Sequence, residues 1–346
     1  MALPLSYTGA AAHYTCAARL RAPNRARPKA PRPPLIMAAF CYVFREKAMA
    51  TMDNNPPVGL IGIGLMGMAC AKRMRAAGLE LLGYDVDAKK LDAFVKLGGK
   101  AAASVAEIAG ACHQVVLAVF NTDQVEETVD ALAAALPAGK APLIALCVST
   151  CDPDRISALY ARTPAHKVRY VEAPVSGTSQ QTEAGDALGM IGGDPAAADE
   201  ARDVLDAICP RRHHLGAAGN GGRAKLAINL ILGVNRAALA EGLVFAQKLG
   251  LDPGAFLKVA RESAAQSQVM DIKGPKMVSG DYTPHGFITQ TRKDFLLMLE
   301  QAKARGQGLP LAETYVSIVD GCVAAGEGDF DNSAVIEEIR RRKPAK

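Results

Sequence analysis

From Pro57 to about Leu215 the apolar residues come in short consecutive blocks separated by stretches of helical spacing. The blocks at 57–62, 80–85, 114–119, 142–147 and 168–172 are apolar on successive positions, as in Val115-Val116-Leu117-Ala118-Val119. Strands of that kind are covered on both faces, which is the pattern of a parallel sheet. Between them, 65–77, 87–97, 104–111, 123–136 and 153–162 predict helices. A further strand pair near 187–192 and 212–215 brackets a helix at 195–208 and adds strands at one edge. After Leu215 the rhythm changes. Gly216-Ala217-Ala218-Gly219-Asn220-Gly221-Gly222 reads as a flexible turn, and about 27 residues then run to Leu249 without proline. Leu226, Leu230, Ile231, Val234, Leu243 and Val244 make this long helix apolar over much of its circumference, so it is expected to lie buried between domains or subunits. The rest reads as helices at 253–264, 265–278, 287–306, 309–324 and 332–342. The expected fold is therefore α/β. An N-terminal Rossmann-type doubly wound parallel sheet spans 55–217, and a long interdomain helix opens an all-helical C-terminal domain over 218–346.

Composition and charge narrow the functional classes. The chain has 346 residues, enough for two domains, with 49% apolar and 22% charged residues. It has no Trp and only 5% aromatic residues, which argues against base-stacking platforms for nucleic acid. The net charge of +5 is unevenly placed. Residues 1–48 carry eight Lys/Arg against one acid, leaving 32 basic and 34 acidic residues in 49–346. The body is thus near neutral, unlike a nucleic-acid-binding surface. The Arg/Pro-rich leader, 1–54, is not expected to fold. Its apolar stretch Leu35–Phe44 is too short to span a bilayer. It reads as an extension upstream of a start at Met49 or Met52, which places the protein in the cytoplasm. The alternatives are a transit segment, which would place it in the mitochondrial matrix, and a DNA-binding arm. The eight cysteines form no C-x-x-C pair and no metal site is expected, so reduced thiols are the simplest reading.

The first strand runs into Gly62-Ile63-Gly64-Leu65-Met66-Gly67, a G-x-G-x-x-G turn between a strand and a helix. Gly62 permits the tight turn, Gly64 lets a diphosphate approach the backbone, and Gly67 lets the helix pack on the strand. The helix start then offers free N–H groups and the positive end of its dipole. Asp85 ends the next strand 18 residues past Gly67, where an acid grips ribose hydroxyls. A dinucleotide site follows. Other candidates are weaker singly. Lys225 is expected in the first turn of the long helix, with Asn229 on the same face. The dipole and partial burial would both lower its pKa toward the range of acid/base work. Ser176-Gly177 after a strand could hold a carboxylate. Ser149-Thr150 stands at the carboxyl end of another, where open α/β sheets bind ligands.

Together these residues resemble the β-hydroxyacid dehydrogenase family. The resemblance covers Val58 to Ile339. It is carried by the glycine turn, Ala173-Pro174-Val175-Ser176-Gly177-Thr178 followed by Gly185, and Gly216, Gly219, Gly221, Lys225 and Asn229. Lys293-Asp294 and Gly328-Asp329-Phe330-Asp331-Asn332-Ser333 complete it. It implies oxidation of a small β-hydroxy acid to a semialdehyde or keto acid, or the reverse, with NAD as cofactor and NADP as the alternative. Lys225 would be the general acid/base, with Asn229 orienting it. Ser176, Gly177 and Thr178 would hold the substrate carboxylate. Gly62 to Gly67, Asp85, Val119, Phe120, Thr150 and Lys293 would contact the cofactor. A homodimer or homotetramer is expected, with neither nucleic acid nor membrane as partner. An imine reductase and a non-catalytic dinucleotide-binding dimer with a basic DNA-binding arm are the competing readings. The chain departs from the family at Thr178 for Gly, at Gln180 and Gln181 for small residues, at Ile228 for Asn, and at Val119-Phe120-Asn121 for a Leu-Pro segment. These changes point to a more polar or bulkier acid than hydroxyisobutyrate.

Asp85 would repel a 2′-phosphate, and Val86-Asp87 follow it where NADP-preferring relatives tend to carry Arg. Asp85→Ala is expected to relax preference for NAD, read as the ratio of kcat/KM for the two cofactors. Equal efficiencies in the unmodified protein would count against the assignment.

Overall fold

A computed structural model describes residues 56–343, so the readings made of the leader lie outside the described residues. Strand β1 (Val58–Ile61) leads through the glycine turn into helix α1 (Leu65–Ala76). There follow β2 (Leu81–Tyr84), α2 (Ala88–Lys96), β3 (Lys100–Ala101), α3 (Val105–Ala111), β4 (Gln114–Leu117) and α4 (Thr122–Ala135). Then come β5 (Leu143–Cys147), α5 (Pro153–Arg162), β6 (Val168–Glu172), β7 (Val175–Ser176) and α6 (Ser179–Ala184). The sheet region closes with β8 (Leu188–Gly193), α7 (Pro195–Glu200), α8 (Arg202–Ile208) and β9 (Arg211–His214). The strand order is β3-β2-β1-β4-β5-β6-β8-β7, with β9 also on β8. The first six are parallel in the doubly wound arrangement. At the added edge β8 runs antiparallel to β6 and β7 and parallel to β9.

Side-chain alternation along these strands feeds two layers. Leu60, Val116, Ile144 and Leu146 pack with Cys70, Ala71 and Met74 of α1 and with Val204 and Leu205 of α8. Ile61, Val115, Leu117 and Ala145 pack with Ile108, Val129, Leu132 and Leu159 on the opposite face. Helix starts are fixed by side-chain caps. Asp87, Ser104, Asn121 and Asp152 each accept a backbone N–H of the turn that follows.

Three expectations change. The helix expected over 195–208 is two, α7 and α8, because Ala201 leaves helical geometry at φ −93°, ψ 22°. The short elements β3, β7 and α6 were not anticipated; two to six residues leave no readable period. The glycine-rich stretch 216–222 is not a flexible turn but a packed junction. A Cβ on Gly221 would lie 2.6 Å from the Met190 carbonyl oxygen, and one on Gly219 2.2 Å from Ser157 Oγ.

Helix α9 (Asn220–Lys248) opens the helical part, followed by α10 (Pro253–Glu262), α11 (Gln268–Ser279), α12 (Ile288–Ala304), α13 (Pro310–Ala324), a 3₁₀ turn (Asn332–Ala334) and α14 (Val335–Arg341). By length and composition α9 could cross a membrane. In this fold it is the spine on which β8, α11, α12 and α14 pack. Its burial is one-sided in the single chain: Leu226, Leu239 and Leu243 are in the core, while Ile231 and Phe245 are 60% and 64% exposed.

The glycine turn supplies a test of the packing. A Cβ on Gly67 would stand 2.0 Å from the Gly62 carbonyl oxygen, a backbone atom with little freedom to move. Gly67→Ala is expected to lower unfolding free energy by about 1–3 kcal/mol and to weaken dinucleotide binding. Unchanged denaturation would mean that α1 can shift without cost.

Candidate active site

The carboxyl ends of the parallel strands and the inner faces of α9, α11 and α12 enclose a cleft of about 640 Å³. Of the residues expected at the site, Gly62, Gly64, Leu65, Met66, Asp85, Val119, Phe120 and Thr150 border it. So do Ser176, Gly177, Thr178, Lys225 and Asn229. Ile63 and Gly67 lie behind its wall, in the turn itself. Lys293 is not in the wall; its amine reaches across to the Thr150 carbonyl oxygen at 2.8 Å and lies 5.6 Å from the Phe120 ring centroid.

At one end the residues present fit a dinucleotide. Gly62 has φ +90°, and a Cβ at Gly64 would meet open space. No side chain caps α1, and no acid stands in its first turn. An uncapped helix start on a cleft is an anion site. Asp85 fixes the turn: its Oδ2 accepts the Ile63 N–H at 2.6 Å and its Oδ1 the Asp87 N–H at 2.8 Å. Ser149 is tied to the neighbouring strand end. Its hydroxyl donates to the Val119 carbonyl at 2.7 Å, and Asp152 caps α5.

In the middle stands Lys225. Helix α9 begins at Asn220, so Lys225 is in the second turn rather than the first. The dipole fades within one turn, and the cause of its low pKa is chiefly burial. The residue is 9% exposed, its amine donates to the Val175 carbonyl at 2.7 Å, and its pKa is brought down to about 8. Asp294 opposes this shift and Lys293 assists it. Asn229 donates to Asp294 Oδ2 at 3.1 Å rather than to Lys225, and Lys293 pairs with Asp294 Oδ1 at 2.9 Å. Asp294 is thus the buried acid that ties these groups together. The sequence shows it beside Lys293, but nothing in the spacing reveals its partners.

Ser176 ends β7, and Gly177 has φ +153°, a conformation open to glycine. Thr178 caps α6 in a reciprocal pair. Its hydroxyl accepts the Gln181 N–H at 3.2 Å, and Gln181 Oε1 accepts the Thr178 N–H at 2.9 Å. The departures at 178 and 181 therefore belong to one device. Deeper in the cleft, Arg236 from α9 and Lys273 from α11 also border it. Arg236 was not anticipated, although it continues the stripe Lys225, Asn229, Leu232 at helical spacing; a second cation on the stripe that carries Lys225 was the available signal.

Comparison with known proteins agrees with this geometry. A family profile described as the NAD binding domain of 6-phosphogluconate dehydrogenase matches residues 57–216. One described as the NAD-binding domain of NADP-dependent 3-hydroxyisobutyrate dehydrogenase matches 219–339. The chain is similar to L-threonate dehydrogenase of Cupriavidus necator, 32% identical over 290 residues, covering 83% of this chain and 96% of that one. It is 27% identical to glyoxylate/succinic semialdehyde reductase 2, chloroplastic, of Arabidopsis thaliana, covering 99% and 98%. Among solved structures, 3-hydroxyisobutyrate dehydrogenase from Salmonella typhimurium superposes with a TM-score of 0.74 at 30% identity, over 82% of this chain and 99% of that one. The fold, the cleft and these relatives together place the chain in the β-hydroxyacid dehydrogenase family, as an NAD(P)-dependent oxidoreductase acting on the CH–OH group of a small hydroxy acid.

Proposed function

We propose that Lys225 is the general acid/base of this reaction and that the cleft holds a β-hydroxy acid, or its semialdehyde or keto acid, between Lys225 and the Ser176-Gly177-Thr178 turn. The observation that carries the reading is a buried amine with a pKa of about 8, bordering the same cleft as an uncapped, glycine-opened helix start. A base titrating near the working pH is the efficient one.

The turn from Gly62 to Gly67 would hold the cofactor diphosphate and Asp85 the adenosine ribose. Val119, Phe120, Thr150 and Lys293 would border the remainder. Bound NAD(P) supplies a nicotinamide that takes or gives a hydride. Ser176 and the N–H groups around Gly177 would bind the carboxylate. In oxidation neutral Lys225 takes the hydroxyl proton; the oxygen lone pair forms the C=O as the C–H bond leaves as hydride. In reduction protonated Lys225 returns that proton to the oxygen. Asn229, held by Asp294, would position the amine and the substrate. Asp85 supports NAD over NADP. An intact Lys225 favours this chemistry over imine reduction.

The division into a sheet domain over 55–217 and a helical substrate and oligomerisation domain from 218 is part of the same reading. Exposed Ile231 and Phe245 on α9 support a homodimer or homotetramer. The near-neutral body supports a small-molecule enzyme that is not nucleic-acid-bound; the cytoplasm follows from reading 1–48 as an extension, and the mitochondrial matrix from reading it as a transit segment.

Lys225→Ala should keep NAD binding and lose about 10²–10⁴-fold in kcat, measured by cofactor titration and by turnover on 3-hydroxyisobutyrate, glycerate, threonate and sulfolactate. A near-normal rate would remove Lys225 from the chemistry. Because oxidation needs the neutral amine, its kcat/KM should rise with pH through about 8. Reduction needs the protonated amine and should fall through the same region. A flat profile in both directions would contradict the assignment.

A further inference from the structure

The inner end of the cleft holds a buried guanidinium that no carboxylate of the described residues neutralises. Lys225, Asn229, Leu232 and Arg236 border the cleft from one stripe of α9. At 1.5 Å per residue, Arg236 is about 16 Å along the helix axis from Lys225. It is 9% exposed; its Nη1 donates to the Tyr315 hydroxyl at 2.7 Å, while its Nε is buried without a partner. Among the described residues no carboxylate pairs with it.

Its neighbours are already committed. The Lys273 amine is bound by both oxygens of Asp331, at 2.9 and 2.8 Å, and Asp331 also accepts the N–H groups of His285 and Ser333. Asp294 is taken by Asn229 and Lys293. The carboxylates nearest this end are thus held by Asn229, Lys293 and Lys273, and Arg236 is left without one. Three more buried atoms without a hydrogen-bond partner, His285 Nδ1, Asn332 Oδ1 and Asp294 Oδ1, belong to residues bordering this end, the last facing Lys293 as an ion pair only. A buried guanidinium lacking counter-charge destabilises the free protein, and a bound anion offsets that cost.

We infer that the substrate is a hydroxy acid with a second acidic group, carried several bonds from the reacting hydroxyl and bound by Arg236 at the inner end of the cleft. The inference rests on the reading of Lys225 as the proton-transfer group and deepens it. The first carboxylate is left to Ser176 and the backbone N–H groups beside it; Arg236 selects the second.

The test compares 3-hydroxyisobutyrate with β-hydroxy acids bearing a terminal carboxylate on chains of increasing length, with NAD and NADP. The unmodified enzyme should favour at least one diacid by about 30-fold or more in kcat/KM, chiefly through KM. Arg236→Met should collapse that ratio and Arg236→Lys should retain part of it. Non-reacting dicarboxylates, glutarate and its longer homologues, should inhibit the cofactor-loaded enzyme more strongly than butyrate. That comparison stands even where Arg236→Met fails to fold. Turnover of 3-hydroxyisobutyrate without preference for any diacid, or equal losses for both substrate classes in Arg236→Met, would overturn the second acidic group and leave Lys225 in place. Failure to turn over any hydroxy acid, with dicarboxylates still binding better than butyrate, would overturn the Lys225 reading alone.

Discussion

The whole site depends on one buried carboxylate. Glu172 ends β6, is almost wholly buried, and accepts the N–H groups of Gly219 at 2.5 Å and Gly222 at 3.2 Å. Gly219 is the N-cap of α9 and Gly222 lies in its first turn, where the helix dipole favours an anion. Burial pushes the Glu172 pKa up and the backbone donors pull against that. The contact requires helix and sheet to meet backbone to backbone. A Cβ on Gly192 would come within 2.5 Å of Glu172 Oε2, and one on Gly222 within 3.1 Å of Oε1. With the first turn of α9 fixed to the strand ends, Lys225 falls on the Val175 carbonyl and faces the cleft.

Helix α12 forms the opposite wall and is tied to the sheet near the same strand ends. Lys293 reaches the Thr150 carbonyl, Gln301 donates to Asp152 at 3.0 Å, and Arg305 pairs with Asp154 at 2.9 Å. Exposed pairs such as the last contribute little individually. Here they align a rigid element that also supplies Asp294. That acid sits close enough to hold the Lys225 pKa up against burial, yet burial prevails. The amine's poise is therefore a balance between desolvation and a carboxylate already shared by Asn229 and Lys293.

Much of this was legible in the residues. Consecutive apolar blocks announced a two-face-covered sheet, because that pattern is local. The glycine turn with Asp85 pointed to a dinucleotide for the same reason. Long-range partners were not legible. Nothing in the spacing of Glu172 foretells that it would anchor residues 47 and 50 positions later. Nor does the position of Asp294 reveal that it would bind Asn229, 65 residues earlier. The stretch 216–222 was misread as flexible because a glycine run signals conformational freedom and close approach alike. Only the packing distances decide between them.

The reciprocal cap at Thr178 and Gln181 carries a consequence for how this loop can diverge. Each side chain accepts the other residue's backbone N–H, so each is held by main chain and not by the other's side chain. Glycine at 178 would remove the acceptor of the Gln181 N–H but keep the N–H that Gln181 Oε1 accepts, and loss of the Gln181 side chain would free only the N–H of residue 178. The two positions can therefore change one at a time, each step releasing a single backbone N–H, and the loop is open to divergence by single substitutions.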